Sequence, residues 1–475
     1  MFKSLCEYIH KDFDDNFIKG LEGFIKIPNI SPDYDKDWKS NGLQEKAAQY
    51  VVEWIKSQKI KGLKIEIIQE ANYTPLILVE IDPSDPSIKK TLALYGHLDK
   101  MPPLDEKLWT EGRKPYDPKI IKGYIYGRGV ADDGYSVFAF IGAVKALQAL
   151  NYQHGKVFCI IEMDEESSGE HISHYISKMK ERFADVGFLL CSDNGVANYE
   201  RIWITSSLRG FARFSLQIEM LNEAIHSGDG GGVIPDSFRI LRMLLSRLEN
   251  PENGELIDEF NPPIPEFKLK EFQDFHIMLT KFYLSHLSFI PGGQFQTYNS
   301  ENPEKEAYIT RSFKSCLCVT GCEGLPKIEE AGNVIRPFIK VMVSMRLAPH
   351  LPKEKAKELI YSKLTSNPPY GAKITISDFT CSDGFIGKPL DPKLEKIIDD
   401  ASIGIFGKGF LRFHDGTTVP FLQVFRDNFK NADIITTGAI GSDSKPHSID
   451  EGLNLTYTKQ YIGCLSYLIS EYSKI

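Results

Sequence analysis

Histidines and acidic residues follow several stretches of this sequence that are predicted to be buried strands. The apolar run Thr91–Tyr95 leads directly to His97 and Asp99, two side chains that are costly to bury without partners. The apolar run Lys156–Ile161 leads in the same way to "MDEESSG", which carries two adjacent glutamates. Such residues at the ends of apolar strands indicate chemistry as well as packing.

Three further segments supply side chains of the same kinds. Gly187–Cys191 leads to Asp193, Asp433–Thr437 leads to His447, and Asp132 precedes a predicted helix in "GRGVADDG". Because parallel strands end at one edge of a sheet, where ligands bind, we expect these side chains to converge. The candidate ligands are His97, Asp132, Glu166, Asp193 and His447.

This set of donors favours a site for two divalent ions. Two imidazoles and three carboxylates, with no thiolate, suit zinc or manganese. Two ions about 3.5–4 Å apart can share one carboxylate and one water. Asp99 is placed to orient His97, and Glu165 to take a proton from the shared water. Each feature alone has an ordinary alternative, such as a loop histidine, a solvated glutamate pair or an N-cap aspartate.

The order of the predicted elements indicates an α/β fold with an insertion. Strands and helices alternate up to about Leu208, which predicts a mostly parallel central sheet flanked by helices. Long alternating strands follow, with helices starting near Pro235 and Lys353, and the α/β pattern returns from about Asp383. We therefore expect a catalytic domain in two parts, 1–208 and 381–475, interrupted by an α+β domain over 209–380.

Composition argues against several classes of protein. A formal charge of −8 without clustered Lys and Arg disfavours a nucleic-acid surface. No apolar run approaches the roughly 20 residues of a membrane helix, and the first residues are acidic where a signal peptide is apolar. Eight cysteines in 475 residues do not indicate a disulfide framework, so we expect a cytoplasmic protein. The C-x-C-x3-C spacing of Cys316, Cys318 and Cys322 favours core packing of a strand over a metal clip.

Five motifs in this order resemble the metal-site motifs of the carnosinase, glutamate carboxypeptidase and aminoacylase group of two-metal peptidases. They are "GHLDKMP", "GRGVADDG", "DEESSG", "CSDNG" and "GSDSKPHS". The resemblance is strongest to the cytosolic dipeptidase branch, and it runs from about residue 15 to the C-terminus. It implies that Asp132 bridges both ions, that His97 and Asp193 hold one, and that Glu166 and His447 hold the other.

The resemblance also implies roles for residues that are not metal ligands. Glu165 matches the general base, and Asp99 matches the residue that holds His97. In the inserted lid domain, "AIHSGDGGG" places His226 as a donor to the oxyanion of a partner subunit, which implies a homodimer formed through that domain. The motifs "GNVIRP", "VSMRLAP" and "HDGTTVP" match substrate-binding segments and indicate Asn333, Arg346 and Thr418.

Some features depart from the family pattern. The family usually has Asn or Asp, then Lys-Gly, after the bridging aspartate, and this chain has Asp133-Gly134-Tyr135. The loops of the carnosinase branch are not reproduced closely around Glu252–Ser300. The resemblance further implies a cis peptide bond after Asp132.

These observations predict a metallopeptidase that hydrolyses dipeptides or short peptides with a free C-terminal carboxylate. An N-acyl amino acid deacylase or a carboxypeptidase of the same family is an alternative, because pockets rather than the metal centre choose the amide. A catalytically inactive metal-binding scaffold is an alternative from another class. A scaffold would be expected to have lost Glu165 or a ligand, and the sequence retains all of them.

Overall fold

Two compact units divide the chain. The computed structural model describes residues 1–475 except 168, 272–278, 281–283, 285–286, 288 and 420. The first unit comprises Met1–Thr205, Gly387–Phe413 and Val424–Ile475, and the second comprises Ser206–Ile386 and His414–Gln423. The second unit therefore interrupts the first along the sequence, and it also includes the later segment that carries Thr418.

The strands and α-helices have the following bounds. The strands are β1 (Leu63–Ile68), β2 (Leu76–Ile81), β3 (Thr91–His97), β4 (Lys119–Ile121), β5 (Tyr124–Tyr126), β6 (Lys156–Glu162), β7 (Val186–Cys191), β8 (Trp203–Leu208), β9 (Gly210–Glu219), β10 (Ile225–His226), β11 (Cys316–Glu323), β12 (Val334–Ile335), β13 (Phe338–Leu347), β14 (Lys373–Ser382), β15 (Phe385–Ile386), β16 (Leu411–Asp415), β17 (Asp433–Thr436) and β18 (Gly452–Asn454). The α-helices are Phe2–Asp12, Lys19–Ile25, Leu43–Ser57, Tyr135–Ala149, Glu170–Met179, Ser227–Gly230, Ser237–Leu245, Glu266–Glu271, Pro303–Phe313, Lys353–Thr365, Pro392–Phe406, Phe421–Asn428 and Leu455–Tyr472. Within the described residues, no helix combines the length and the apolar character needed to cross a membrane.

The first unit is built on a sheet whose central strands are parallel. The strand order is β1-β2-β6-β3-β7-β17, with β3 parallel to β6 and β7, and β17 parallel to β7. Every residue of β3 is buried, which explains its continuous apolar sequence before His97. The fold class predicted from the sequence is confirmed, and four parallel strands end at one edge of the sheet.

Helices rich in small or apolar residues cover this sheet. Helix Tyr135–Ala149 is buried along nearly its whole length and packs against β3 and against helix Leu455–Tyr472. A helix that is apolar on all sides is expected where both of its faces meet other elements. This packing fixes the start of helix Tyr135–Ala149, and therefore the segment just before it that contains Asp132.

The second unit contains a four-stranded antiparallel sheet in the order β11-β13-β9-β14. Its central strands β9 and β13 alternate between buried and more exposed residues, as expected for a sheet with one covered face. Helices Ser237–Leu245 and Lys353–Thr365 contribute to the core on that face.

The core-packing interpretation of the cysteines in β11 is wrong for two of them. Cys318 and Cys322 are exposed, and Cys316 is half-buried. The reason is that β11 is an edge strand of this sheet, and its residues after Leu317 are exposed. The apolar character of the segment therefore does not reflect burial within its own unit.

Candidate metal centre and active site

His97 is the last residue of β3, and its imidazole is fully buried. Its Nε2 atom lies 3.3 Å from Oδ1 of Asp132 and 3.8 Å from Oδ1 of Asp193. Its Nδ1 atom lies 3.3 Å from Oδ1 of Asp99 and 3.2 Å from the backbone oxygen of the same residue. Acceptors beside Nδ1 favour the tautomer that leaves Nε2 available as a ligand.

His447 belongs to a second group of side chains. Its Nε2 atom lies 2.9 Å from Oδ2 of Asp132 and 2.8 Å from Oε2 of Glu166. Its backbone φ of 57° lies in the left-handed region, which is uncommon for residues other than glycine. Such conformations concentrate at functional sites, where the surroundings hold them.

Asp132 is common to both groups. The ligand atoms of His97, Asp132 and Asp193 lie within 4.8 Å of one another, and so do those of Asp132, Glu166 and His447. One carboxylate oxygen of Asp132 faces His97 and the other faces His447. The peptide bond between Asp132 and Asp133 is cis, which confirms the expectation from the family resemblance. The structure therefore gathers the five predicted ligands into two overlapping candidate metal sites.

Asp99 holds His97 in place, and it also positions the turn that carries Glu165 and Glu166. Its Oδ1 atom accepts a hydrogen bond from the backbone N–H of Glu165 at 3.1 Å, and its Oδ2 atom accepts one from the N–H of Glu166 at 3.0 Å. The side chain of Glu165 reaches to 4.0 Å from Nε2 of His97. One buried carboxylate thus holds both the imidazole and the turn that carries the two glutamates.

The crowded carboxylates and imidazoles shift one another's pKa values. Burial raises the pKa of Glu166 to about 8, and the negative charge of Asp132 adds to this increase. Burial opposes protonation of His447, but hydrogen bonds to Asp132 and Glu166 raise the pKa of the imidazole to about 11. Burial also raises the pKa of Glu165, and the charge of Asp193 adds to that shift. Burial and the neighbouring negative charges both disfavour the ionised forms of Glu165 and Glu166, and a divalent cation bound beside them would offset both effects.

The first unit also contains a buried ion pair that was not predicted from the sequence. Arg128 and Glu451 pair through Nη1 and Oε2, and Glu451 also accepts hydrogen bonds from the backbone N–H groups of Gly129, Ala131 and Asp132. Both residues lie inside or next to quoted motifs, but a charged residue in a loop is usually solvated. Only the position of Glu451 four residues after His447 could have drawn attention to it.

The remaining predicted residues lie in the second unit. Nη1 of Arg346 donates a hydrogen bond to Oγ1 of Thr418 at 2.9 Å. The side chain of His226 is 62% exposed, and the carbonyl of Asn333 accepts a hydrogen bond from the N–H of Ser227, which follows His226. The structure therefore brings Arg346 to Thr418 and Asn333 to the segment of His226, while the roles of all four stay predictions.

Two overlapping ligand sets beside the carboxyl ends of strands in an α/β sheet are typical of metallohydrolases. A sequence model of Peptidase family M20/M25/M40 matches residues 93–471 of the 475-residue chain. The chain therefore belongs to this family of peptidases. The resemblance indicated by its motifs is confirmed, and the chain is a hydrolase.

Similar proteins have names that describe the cleavage of dipeptides. The chain is 27% identical over 402 residues to Beta-Ala-His dipeptidase of Homo sapiens, covering 80% of this chain and 74% of that protein. It is 25% identical over 464 residues to Cys-Gly metallodipeptidase DUG1 of Saccharomyces cerevisiae (strain ATCC 204508 / S288c), covering 93% and 92%. The crystal structure of human carnosine dipeptidase 1 has a TM-score of 0.76 at 22% identity, with 100% of this chain and 99% of that chain covered. That structure shares the fold described above.

Proposed function

We propose that this chain is a dipeptidase that hydrolyses dipeptides and short peptides with a free C-terminal carboxylate. The observation that carries the proposal is that Asp132 belongs to both ligand sets, with Glu165 beside them. Two relatives named as dipeptidases support this substrate class over N-acyl amino acids. An inactive scaffold is disfavoured, because every side chain that hydrolysis requires is present.

The residues present fit two divalent cations. Oε1 of Glu166 is buried and has no hydrogen-bond partner among the described residues, so a ligand atom is left over after the protein contacts are made. Imidazole and carboxylate donors without thiolates suit zinc, with manganese as the second choice. Asp132 would be shared, with His97 and Asp193 on one ion and Glu166 and His447 on the other. When bound, such ions polarise a carbonyl and lower the pKa of a water towards neutrality.

Glu165 supplies the general base. Its carboxylate takes the proton of the attacking water and passes it to the leaving amine. Burial raises the pKa of Glu165, so that it binds the proton more strongly than an ordinary glutamate. Asp99 contributes by holding both His97 and the backbone of Glu165, which keeps the base and a ligand in fixed relation.

Residues of the second unit recognise the substrate. Arg346 presents a planar set of N–H donors that suits a carboxylate, and its hydrogen bond to Thr418 restricts the guanidinium. Asn333 belongs to the same recognition set. His226, which is largely exposed in its own unit, donates a hydrogen bond to the oxyanion in the active site of a partner subunit.

This role of His226 requires a homodimer formed through the second unit. In a two-fold dimer each subunit completes the other's site, so one kind of contact serves both. We also place the protein in the cytoplasm. All eight cysteines are free, which fits a reducing compartment.

The test combines metal analysis with one substitution. Purified protein should bind close to two divalent ions per chain, and it should hydrolyse dipeptides faster than N-acyl amino acids that share the same C-terminal residue. Glu165→Gln should retain the ions and lose roughly 10²–10⁴-fold in turnover. Glu181→Gln, at an exposed position of the same unit, is the matched control and should change neither quantity. A Glu165→Gln variant with both ions and nearly full activity would refute the assignment of the base.

A further inference from the structure

A cavity of about 490 Å³ in the second unit has no role in the function described above. Its volume falls within the roughly 300–1,000 Å³ of small-molecule pockets. Much of its described wall is apolar, and includes Leu284, Leu287 and Phe295 from the segment after helix Glu266–Glu271. Ala307, on helix Pro303–Phe313, also lines it. A cavity of this size can hold a branched or aromatic side chain.

Three polar side chains in the wall form hydrogen bonds within the protein. Nε of Arg209 donates to the carbonyl of Gly416 at 3.1 Å. The hydroxyls of Thr280 and Thr297 donate to backbone carbonyls at 2.7 and 2.9 Å. Because these three donors are engaged, the part of the wall formed by Leu284, Leu287 and Phe295 offers apolar contact, and a polar ligand group buried against it would cost free energy.

One residue of the cavity wall is the strand neighbour of Arg346. Cys316 lines the cavity and is the direct cross-strand partner of Arg346 in the antiparallel pairing of β11 and β13. Side chains of such partners lie on the same face, with Cβ atoms about 4.5–5.5 Å apart. The side chain of Arg346 therefore starts beside the cavity wall.

The wall also holds the loop that carries Thr418. Nη2 of Arg311, which lines the cavity, donates to Oδ1 of Asp415 at 3.0 Å. The same oxygen accepts a hydrogen bond from the backbone N–H of Thr417 at 3.1 Å. Together with the bond from Arg209 to Gly416, these contacts tie residues 415–418 to the cavity.

We propose that this cavity receives the side chain of the substrate's C-terminal residue and selects large apolar or aromatic side chains. The inference rests on the proposed function, in which Arg346 and Thr418 hold the carboxylate of that residue. The first carbon of that residue's side chain is two bonds from the carboxylate carbon, so a carboxylate held by Arg346 places the side chain near Cys316 and the apolar space that it lines. The preferred substrates are therefore dipeptides that end in residues such as phenylalanine or leucine.

The experiment measures kcat/KM for dipeptides with one constant N-terminal residue and glycine, alanine, leucine or phenylalanine at the C-terminus. One methylene in an apolar pocket changes kcat/KM by roughly 10–200-fold. The kcat/KM for the dipeptide that ends in phenylalanine should therefore exceed that for the dipeptide that ends in glycine by at least roughly 10–200-fold. Free phenylalanine, as the released product, should inhibit competitively at lower concentration than free glycine. This second measurement reports binding without relying on turnover.

Two variants and a control locate the preference in the cavity. Ala307→Phe fills the space and should lower kcat/KM for the phenylalanine and leucine substrates by at least about 10-fold, with the glycine substrate unchanged. Phe295→Ala removes part of the wall and should weaken the same preference, which keeps the test valid if Ala307→Phe does not fold. Lys305→Phe adds the same ring at an exposed position of the same helix and should leave the preference intact.

The failures of the two proposals can be distinguished. If no dipeptide is hydrolysed by the metal-loaded protein, the proposed function fails and this inference fails with it. If dipeptides are hydrolysed but the glycine substrate is favoured, or the cavity variants affect all substrates equally, only the assignment of the cavity is overturned.

Discussion

Arg128 and Glu451 form an ion pair that is fully buried, with 2.8 Å between Nη1 and Oε2. Glu451 also accepts N–H groups of the segment that ends at Asp132, and Arg128 donates to the carbonyl of Ser448 at 2.7 Å. Ser448 follows His447 directly. The pair therefore joins the loop that carries Asp132 to the loop that carries His447, which lies near the other end of the sequence.

Glu451→Gln should destabilise the protein strongly. The amide keeps the size of the side chain but leaves the charge of Arg128 buried without a counter-charge, which costs about 3–5 kcal/mol. Urea unfolding of the variant measures this loss of free energy. Asp400→Asn breaks the exposed pair between Lys396 and Asp400 and should cost less than about 1 kcal/mol. Equal losses for the two variants would show that the buried pair does not tie the loops together.

Asp99→Asn should weaken metal binding without a large change in the fold. An amide can accept one hydrogen bond through its oxygen, but its NH₂ group then faces the other backbone N–H of the Glu165–Glu166 turn. Loss of such a supporting contact typically lowers metal affinity by roughly 10–100-fold. Competition with a chelator of known affinity measures the change. Asp105→Asn, in a nearby exposed turn, is the control, and equal affinities of the two variants would contradict the role of Asp99.

The stability of the chelator-treated and metal-loaded proteins should diverge as the pH rises. His447 has a pKa raised from 6.5 to about 11, so in the metal-free fold it contributes stability below pH 6.5 that is lost above it. Glu166 has a pKa raised from 4.5 to about 8, so the metal-free fold also loses stability as the pH rises from 4.5 to 8. Metal ions bind the deprotonated ligands, and their affinity increases with pH.

Thermal unfolding at pH 6.5 and pH 8 provides the measurement for this prediction. The Tm of the chelator-treated protein should fall over this interval, while the increase in Tm on adding zinc should grow. Titration of Asp132 does not change the direction of this pH effect on stability. Hydrogen bonds from His447 and His97 outweigh its burial and hold its pKa below 3.8, outside the interval from pH 6.5 to pH 8. A chelator-treated protein that gains stability from pH 6.5 to pH 8 would contradict this account of the site.

The apolar strands of the first unit could be predicted closely from the sequence. β6 begins at Lys156 as predicted and extends one residue beyond the predicted end at Ile161. β3 continues two residues beyond its predicted end at Tyr95. The reason is tertiary: His97 pairs with Glu162 of β6, and its N–H donates to the carboxylate of Asp133. The ligand itself therefore forms the last residue of the strand.

Other features could not be predicted because their partners are distant in the sequence. Arg128 and Glu451 are 323 residues apart, and each alone has the sequence character of a solvated loop residue. Strands β4 and β5 have three residues each, too few for a period of two to be recognised. Part of the segment Glu252–Ser300, in which the sequence departs from the loops of the carnosinase branch, lies outside the described residues.

Two substitutions on different subunits can test whether His226 acts in the active site of a partner subunit. His226→Ala should lower turnover by roughly 10²–10³-fold with both ions retained, because one donor to the oxyanion is lost. Mixing this variant with Glu165→Gln should then restore activity. Each mixed dimer has one site that combines an intact base with a borrowed intact histidine. Random pairing of equal amounts makes about half of the dimers mixed, so recovery should approach about a quarter of the wild-type activity. A mixture of Glu165→Gln with the double variant that carries both substitutions contains no such site and should stay inactive. If subunit exchange is demonstrated and the first mixture also stays inactive, His226 does not act across a dimer interface.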